Sequence, residues 1–493
     1  VWDAFIFAFT IPNLFRRLFG EGALSAAFIP TLSSYLNEKS RSETIRFINI
    51  IITLLFGVLC IIAGLVILTT FIIPIVAPSF VESSKMFSPI FLKLLRIMIP
   101  YLPLICLVAL LQAVLNSLKH FMMPALASVV LNICWIAGFI IAGQVSTTDE
   151  NKVTIIAWAI LIGGLFEVII QIPPLIKNKI TYKPEISFNH PGLKEVLRLM
   201  LPTILGLAVF QINLMFDYII AQIFIPESGA ISALYYGNRM MQFPFALIGV
   251  SLATAVFPFL ADYAARKDLK GMFNELTKAL RIALFVGLPA SVGLIILAEP
   301  IIHWSFYTMP ASLFHIKAFS TEAVFRTSNV LVFYAIGIWS YGAVQIINRA
   351  FYSLKDMTTP VKVGIYTVVI NLVLNIILVM PLKESGIALA TTISSILNLI
   401  VLLYILNKVA VPMSSGRLLL SFFTGLLSPL ICSLLMGVVC YVGLHYLPRG
   451  ETLLAETIIT ITLVVLGSIS YLGFSYLFQR SILKEIIHPV RDI

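Results

Sequence analysis

Thirteen long apolar runs occupy almost the whole chain. Each is long enough to cross a bilayer, since a helix needs about 20 apolar residues to do so. The runs are continuously apolar and do not alternate, which favours helices over a barrel. They cover residues 3–35, 45–78, 89–117, 122–144, 153–176, 193–225, 229–263, 273–306, 321–353, 358–381, 385–408, 416–446 and 452–479. The sequence therefore predicts an all-α polytopic membrane protein with 13 spans, some of them tilted or kinked.

The composition excludes the main alternatives to a membrane protein. Of 493 residues, 59% are hydrophobic and only 11% are charged. Soluble domains carry about 25% charged residues, and disordered chains are poor in apolar residues. The net charge is +10, but no dense basic block accompanies it, so no nucleic-acid partner is predicted. In a membrane protein, excess Lys and Arg set the orientation.

The connecting segments predict that orientation. The segment with Lys39, Arg41 and Arg46 is placed in the cytoplasm, and the sides then alternate. The cytoplasmic side receives most of the 33 Lys and Arg residues, which fits the positive-inside rule. The outer side receives only Lys85, Lys152, Lys317, Lys383 and Arg449. The C-terminus is thus expected inside. The chain begins with Val, and the first residue falls outside, so one further span, the first of 14, is expected before it.

An internal repeat predicts two related halves. The sequence AFIPTLSSY at 27–35 resembles AVFPFLADY at 255–263, and NSLKH at 116–120 resembles YSLKD at 352–356. The polar connection KNKITYKPEISFNHPG at 177–192 separates the copies, which keep the same membrane orientation as parallel repeats. We expect two pseudo-symmetric six-helix bundles plus two C-terminal helices. The predicted domains are 1–178, a cytoplasmic linker 179–192, 193–409, and 410–493 with the last two helices and a cytoplasmic tail.

The sequence offers little support for catalysis. Its five cysteines are scattered through apolar runs without a CxxC spacing, which is typical of free buried thiols. No HExxH, Walker loop, GxSxG or DxD-type carboxylate cluster stands out. We therefore expect no enzyme activity and no organic cofactor.

Charges within the first run are the most informative residues, because an ionised side chain at the bilayer centre costs at least about 2.5–3.5 kcal/mol. This run contains Asp3, Pro12, Arg16, Arg17 and Glu21. Arginine suits phosphate because its guanidinium presents a planar fork of donors. The arginines indicate a cationic wall that holds an anion. The alternatives are snorkelling to the interface and pairing of Arg17 with Glu21.

The back half repeats this theme at Arg239, within YYGNRMMQFP at 235–244. An arginine from each half predicts a shared anion site at the repeat interface, where transporter sites usually lie. The alternative is a structural arginine bonded to a helix carbonyl.

A second polar set is acidic and amide-rich. Asp217 is a lone carboxylate in an apolar run, Asn371 and Asn375 are four residues apart, and Thr391 lies in the next span. Their oxygen atoms suit a hard cation such as Na⁺, so they are a candidate cation site. The alternative is a network of hydrogen bonds between helices.

Three stretches carry a family resemblance. They are WDAFIFAFTIPNLFRRLFGEGALSAAFIPTLSSY at 2–35, YYGNRMMQFPFALIGVSLATAVFPFL at 235–260 and FYSLKDMTTPVKVGI at 351–365. They resemble the MurJ (MviN) family of lipid II flippases, within the multidrug/oligosaccharidyl-lipid/polysaccharide exporter superfamily. The resemblance implies fourteen spans, arranged as two six-helix lobes and two C-terminal helices.

The resemblance also implies a function. A member moves the undecaprenyl-diphosphate-linked peptidoglycan precursor from the cytoplasmic to the outer leaflet of the bacterial inner membrane by alternating access. We expect this chain to do so as a monomer, with lipid II and membrane lipid as its partners. Asp3, Arg16 and Arg17 match polar residues of the family's second span, and Arg239 matches the cavity arginine of the eighth. Asp3 and Glu21 would orient the arginines. Asp217, Asn371, Asn375 and Thr391 line up with a family cation site, although Asn375 stands where an Asp can occur.

Three rivals remain at this stage. One is a relative that exports another polyprenyl-linked saccharide, or a multidrug antiporter, which would favour acids in its cavity over arginines. Another is a polyprenyl-phosphate glycosyltransferase, which would need paired acids facing water. The third is a non-transporting scaffold, which would leave the arginines within the spans unexplained.

Overall fold

The fold is known from a computed structural model, which describes residues 1–18, 24–83, 87–146, 148–314, 319–410, 418–447 and 452–480. The described residues form helices and contain no strand. The contacts divide the chain into two compact units, Val1–Ile223 and Phe224–Ile493. The prediction of an all-helical membrane protein is confirmed.

The first unit is built from ten helices in its described part. They are α1 (Trp2–Phe15), α2 (Leu24–Glu38), α3 (Arg41–Val76), α4 (Pro78–Ser83), α5 (Pro89–Met98), α6 (Tyr101–Ser117), α7 (Met122–Val145), α8 (Asp149–Ile169), α9 (Ile172–Lys177) and α10 (Pro191–Phe224). The core combines α2, α3, α6, α9 and the start of α10, and its buried residues include Phe28, Phe47, Val114, Leu175 and Val196. The aromatic ring of Phe47 stacks on that of Tyr35, with 4.5 Å between centroids.

The polar connection before α10 packs onto the first unit. Arg46 donates to Glu185 (2.6 Å), and Asn49 donates to the carbonyl oxygen of Thr181 (3.3 Å). The ring of His190 stacks on Phe47 at 5.7 Å. The first turns of α10 lie in the same core, and the first unit extends to Ile223, near the end of α10. The predicted domains and the linker 179–192 stay predictions.

The second unit contains nine helices in its described part. They are α11 (Ala230–Phe245), α12 (Ser251–Ala265), α13 (Leu269–His303), α14 (Met309–Phe314), α15 (Thr321–Ala335), α16 (Ile338–Ser353), α17 (Thr358–Ala410), α18 (Leu418–Tyr446) and α19 (Leu453–Phe478). Its main core joins α12, α13, α16, α17 and α18. Helices α18 and α19 also pack on α13 through a second cluster, where the Tyr471 hydroxyl donates to the carbonyl oxygen of Phe285 (2.6 Å).

Several predicted runs are broken helices. Among the described residues, eight helical stretches are long and apolar enough to cross a membrane, and the pair α15–α16, bent by 44°, would make a ninth. The predicted run 89–117 is divided into α5 and α6 at residues 99–100. Pro100 lies at this break, and Pro103 follows in the first turn of α6. The total of thirteen spans stays a prediction.

Helix α17 contains two arms that fold back on each other. The backbone leaves helical geometry at Lys383, with φ 52° and ψ −135°. Asn371 on the first arm donates to Thr391 on the second, although 20 residues separate them along the chain. A straight helix would place them about 30 Å apart. The break agrees with the predicted boundary between the runs 358–381 and 385–408.

Lysine occupies every left-handed position found at non-glycine residues in the described part of the chain. These residues are Lys119, Lys179, Lys267, Lys355 and Lys383. The first four follow helix ends on the predicted cytoplasmic side, where the next N–H bonds back to a carbonyl five residues earlier, as in His120 to Leu115 (2.9 Å) and Asp356 to Phe351 (3.0 Å). This is the Schellman pattern, which usually uses glycine. Lys119 and Lys355 are equivalent in the internal repeat, so the two copies end these helices in the same way.

Candidate functional site

Two adjacent arginines lie directly at the end of α1. Residues 16–18 continue the chain as a π-helical turn, a wider geometry that is frequent at functional sites. Arg16 donates from Nε to Oδ1 of Asn13 (2.8 Å), which fixes the direction of its side chain. Arg16 and Arg17 are both half-buried. The structure thus places both arginines next to the end of α1, within the predicted first run.

The acids predicted to orient these arginines differ in their positions. Asp3 lies in the first turn of α1, and the rise from there to Arg16 is about 20 Å at roughly 1.5 Å per residue. Asp3 and Arg16 thus lie at opposite ends of α1, and the role of Asp3 in orienting the arginines stays a prediction. Glu21 lies outside the described residues, so its pairing with Arg17 stays a prediction.

Arg239 lies on α11, in the second unit. Its side chain is exposed, and it forms no hydrogen bond or ion pair with the residues that the structure describes. One turn away, Gln242 donates to the side-chain oxygen of Asn238 (2.5 Å), so these two amides bond to each other. The alternative, an arginine bonded to a helix carbonyl, is not found among the described contacts. The guanidinium of Arg239 keeps its donors available for a ligand.

The spans that carry the arginines share a local distortion. In the first unit the π-helical turn at 16–18 follows α1, and in the second unit a π-helical turn, Ala246–Val250, follows α11. A proline precedes each turn within the helix, Pro12 in α1 and Pro244 in α11. Proline removes a backbone donor and weakens the regular ladder at such points. Both halves of the repeat therefore place a distorted helix next to arginine.

The amide-rich set divides between the two units. Asn371, Asn375 and Thr391 come together across the two arms of α17, where Asn375 donates to Asn371 (3.0 Å) and Asn371 to Thr391 (3.4 Å). Both asparagines are buried. Asp217 is buried on α10, in the first unit. The three residues of α17 are thus joined by hydrogen bonds, and the cation site stays a prediction.

Comparison with known proteins identifies the family. The family model described as lipid II flippase MurJ matches residues 1–462. This chain belongs to the MurJ family. A relative from Buchnera aphidicola (subspecies Acyrthosiphon pisum), named "Probable lipid II flippase MurJ", is 32% identical over 98% of this chain and 90% of its own length. "Lipid II flippase MurJ" of Burkholderia cenocepacia is 29% identical over 97% of this chain and 92% of its own length.

Solved structures agree with this family. The structure titled "Lipid II flippase MurJ, inward closed conformation" has a TM-score of 0.75 and 28% identity, covering 98% of this chain and 93% of its own. An inward-facing multidrug resistance transporter of the MATE family is similar in fold alone, with a TM-score of 0.62 and 15% identity over 81% of this chain and 92% of its own. The helical architecture of this chain therefore resembles that of the MATE structure as well.

The sequence did not predict one cluster of charges in this MurJ-family chain. Arg326, in the first turns of α15, donates to the buried Glu384 (2.5 Å) and to the carbonyl oxygen of Ser228 (2.5 Å). Gly229 has φ 99°, and a Cβ there would meet Arg326 Nη1 at 3.3 Å. Lys383, at the break of α17, pairs with Glu227. These contacts join α15, the break of α17 and the segment before α11. In the sequence, only the acids Glu384, next to Lys383, and Glu227, next to Ser228, indicate such a cluster.

The cysteines match their prediction only partly. All five are free thiols. Cys106, Cys432 and Cys440 are buried, whereas Cys60 is exposed and Cys134 is half-buried. The exposed position of Cys60 lies on α3, whose central residues, such as Ile61 and Leu65, are also exposed. In a membrane protein this apolar face is turned to lipid.

Proposed function

We propose that this chain is a lipid II flippase of the bacterial inner membrane. It moves the undecaprenyl-diphosphate-linked peptidoglycan precursor from the cytoplasmic to the outer leaflet by alternating access. Membership of the MurJ family along residues 1–462 is the observation that carries the proposal. The arginines at the distorted helices supply the chemistry that such a substrate requires.

The diphosphate is the part of the substrate that these arginines recognise. A guanidinium donates two parallel hydrogen bonds to phosphate oxygens and keeps its charge at any physiological pH. Arg16 and Arg17 are held at the end of α1, and Arg239 keeps its donors available. Each charge-assisted bond is worth about 1.5–3 kcal/mol. No covalent bond is made or broken in the transport, so the chain acts as a transporter and not as an enzyme.

The proposed orientation follows the charge distribution of the sequence. We propose that the C-terminus lies in the cytoplasm and that a single copy is sufficient for transport. The left-handed lysines at the ends of α6, α9, α12 and α16 support this orientation, because lysine is enriched on the cytoplasmic side. A protease site added after Ile493 should be cleaved only when the cytoplasmic face is accessible. Cleavage in intact cells by an external protease would contradict the orientation.

We also propose sodium as a coupling ion, because the candidate ligands offer the oxygen atoms that such an ion prefers. Asp217, Asn371, Asn375 and Thr391 provide hard oxygen ligands. The residues of α17 hydrogen-bond to one another and carry no charge, so the charge of the site comes from the carboxylate of Asp217. If sodium binds, it should raise the Tm of the wild-type protein but not that of Asp217→Asn. An equal Tm of the wild-type protein in sodium and in potassium would contradict sodium binding.

The test of the function uses cells depleted of their own lipid II flippase. Wild type should restore growth and the appearance of lipid II on the outer leaflet. The exposed lipid II is measured with a membrane-impermeant reagent that labels its amine. Arg239→Ala should fail at the same expression level. Arg480→Ala is the matched control, since Arg480 stacks on Tyr476 near the end of α19, and it should rescue like wild type. Failure of the well-expressed wild type would favour another polyprenyl-linked saccharide.

A further inference from the structure

The polar connection between α9 and α10 exposes apolar side chains that the transport mechanism above does not use. Tyr182, Ile186 and Phe188 are 51%, 69% and 70% exposed. The described residues 178–190 form neither helix nor strand. Neighbouring exposed apolar residues with polar residues around them mark a site of interaction with a protein or a membrane. The depth of the connection relative to the membrane decides which of these covers them.

Helix α3 indicates that depth. Its exposed apolar side chains begin at Val58 and continue to Val76, a length of about 27 Å at roughly 1.5 Å per residue. This length matches the hydrocarbon core of a bilayer, which is about 30 Å thick. Helix α3 already begins at Arg41, so its part before Val58 extends beyond the hydrocarbon core.

Hydrogen bonds fix the connection to this protruding part of α3. The backbone N–H of Glu185 donates to the Thr53 hydroxyl oxygen (3.2 Å), and the Tyr182 hydroxyl bonds to the same oxygen (3.1 Å). Thr53 lies five residues before Val58, which is about 7 Å along the helix. The headgroup layer on each side of a bilayer is about 5–8 Å thick. Tyr182 and Glu185 are therefore held at the depth of the headgroups.

The helices before the connection agree with this depth. Exposed apolar side chains on α8 and α9 continue to Ile172 and Ile176. Lys177 follows directly at the end of α9 and is exposed. The change from apolar to basic side chains at this point is typical of the boundary between hydrocarbon and headgroups.

The connection carries positive charge at this boundary. Lys177, Lys179 and Lys183 are all exposed. Glu185, the one acid of the connection, forms an ion pair with Arg46 (2.6 Å), so it does not offset the lysines. Lysine near an anionic membrane is attracted to the lipid phosphates, and its flexible stem lets the ammonium group reach them.

We propose that residues 177–188 form an interfacial surface that binds anionic phospholipid headgroups. The three lysines contact the lipid phosphates, while Tyr182, Ile186 and Phe188 insert between the headgroups and the first carbons of the acyl chains. A docking site for a soluble protein would lie farther from the hydrocarbon core, in water. The interfacial surface holds the start of α3 at a fixed depth. The proposal rests neither on the flippase function nor on the leaflet that the connection faces.

Fluorescence quenching in vesicles tests the depth of the interfacial surface. The five native cysteines are replaced by alanine, and Phe188→Cys carries an aromatic fluorophore that a nitroxide on the lipid headgroups quenches. Ser42→Cys is the matched control, because Ser42 is exposed in the first turn of α3, about 24 Å before Val58. The label at residue 188 should lose most of its fluorescence and the label at residue 42 little. Equal losses would overturn the proposal.

The same label tests which lipid binds. The nitroxide is placed on phosphatidylglycerol or on phosphatidylcholine, at equal fractions of mixed vesicles. Phosphatidylglycerol should quench the label at residue 188 at least about threefold more strongly, because the lysines attract its anionic headgroup. Equal quenching by the two lipids would overturn the proposal.

Substitution of the lysines tests their role in this preference. The triple variant Lys177→Gln, Lys179→Gln and Lys183→Gln should bring the quenching ratio close to one. Lys267→Gln with Lys270→Gln, at the start of α13, is the matched control and should keep the ratio of the unsubstituted surface. A preference for phosphatidylglycerol that persists in the triple variant would overturn the proposal.

Thermal unfolding needs no label, so it decides the case if the protein without its native cysteines does not fold. Wild type should have a higher Tm in nanodiscs of phosphatidylglycerol than in nanodiscs of phosphatidylcholine, and the triple variant should lose most of this difference. An equal difference in both proteins, or none in wild type, would overturn the proposal. None of these measurements uses lipid II, so their outcome and that of the transport assay are independent.

Discussion

Asp356 shows how a single side chain begins a membrane helix. Its Oδ1 atom accepts the backbone N–H groups of Thr358 and Thr359 (both 3.0 Å), and its Oδ2 atom accepts the Thr359 hydroxyl (2.6 Å). These bonds satisfy donors at the start of α17 that have no partner within the helix. The bond from the Thr359 hydroxyl, together with the backbone bonds and Lys362, lowers the pKa of Asp356.

Replacement of Asp356 should therefore destabilise the protein in a pH-dependent way. Asp356→Ala should cost about 0.5–2 kcal/mol, measured by thermal unfolding in detergent at pH 7. A carboxylate whose folded pKa is lowered stabilises the protein above its unfolded pKa, and the contribution is lost as the pH falls through the lower folded value. The difference between wild type and Asp356→Ala should shrink in acid. A difference that is constant down to pH 3 would show that the charge is irrelevant.

The backbone of the left-handed lysines is strained, and glycine would adopt the same conformation without this strain. Lys355 has φ 61°, and an L-residue in this conformation is strained by about 1–2 kcal/mol. Lys355→Gly should therefore raise the Tm. Lys362→Gly is the matched control within helix α17, where glycine should lower the stability by about 1 kcal/mol. Equal shifts of the same sign would contradict this account of the caps.

At the scale of elements, helix packing in the first unit depends on small residues in α8. Gly164→Ala should destabilise by about 1–3 kcal/mol, because a Cβ there would lie 2.5 Å from the buried ring of Tyr101. Gly57→Ala in α3 is the control, since no atom lies within 4 Å of a Cβ at that position. It should be neutral or stabilising by up to about 1 kcal/mol. Thermal unfolding in one detergent compares the two, and an equal loss for both would contradict the packing account.

The elements also show what the sequence can predict. Long apolar runs predicted the helical membrane protein, and the polar segment at Lys383 predicted the boundary between the two arms of α17. The π-helical turns could not be predicted, because their register depends on how neighbouring helices pack. The ion pair of Arg326 with Glu384 is likewise a tertiary contact between residues 58 positions apart.

The candidate site was predicted in part. The arginines stood out because charge within an apolar run is costly, and the structure places Arg16 and Arg17 at a distorted helix end. Asp3 and Arg16 are separated by the length of α1. The apolar pattern of the sequence did not define where this helix ends.

At the scale of the whole molecule, the central claim is that the arginines carry a lipid-linked diphosphate across the membrane. The direct measurement reconstitutes the purified chain in vesicles with lipid II on one leaflet and follows its appearance on the other. Wild type should move lipid II well above the rate of protein-free vesicles. Arg239→Ala should be at least about tenfold slower, as expected from the loss of one charge-assisted contact. Folded wild-type protein that moves lipid II no faster than protein-free vesicles would contradict the account.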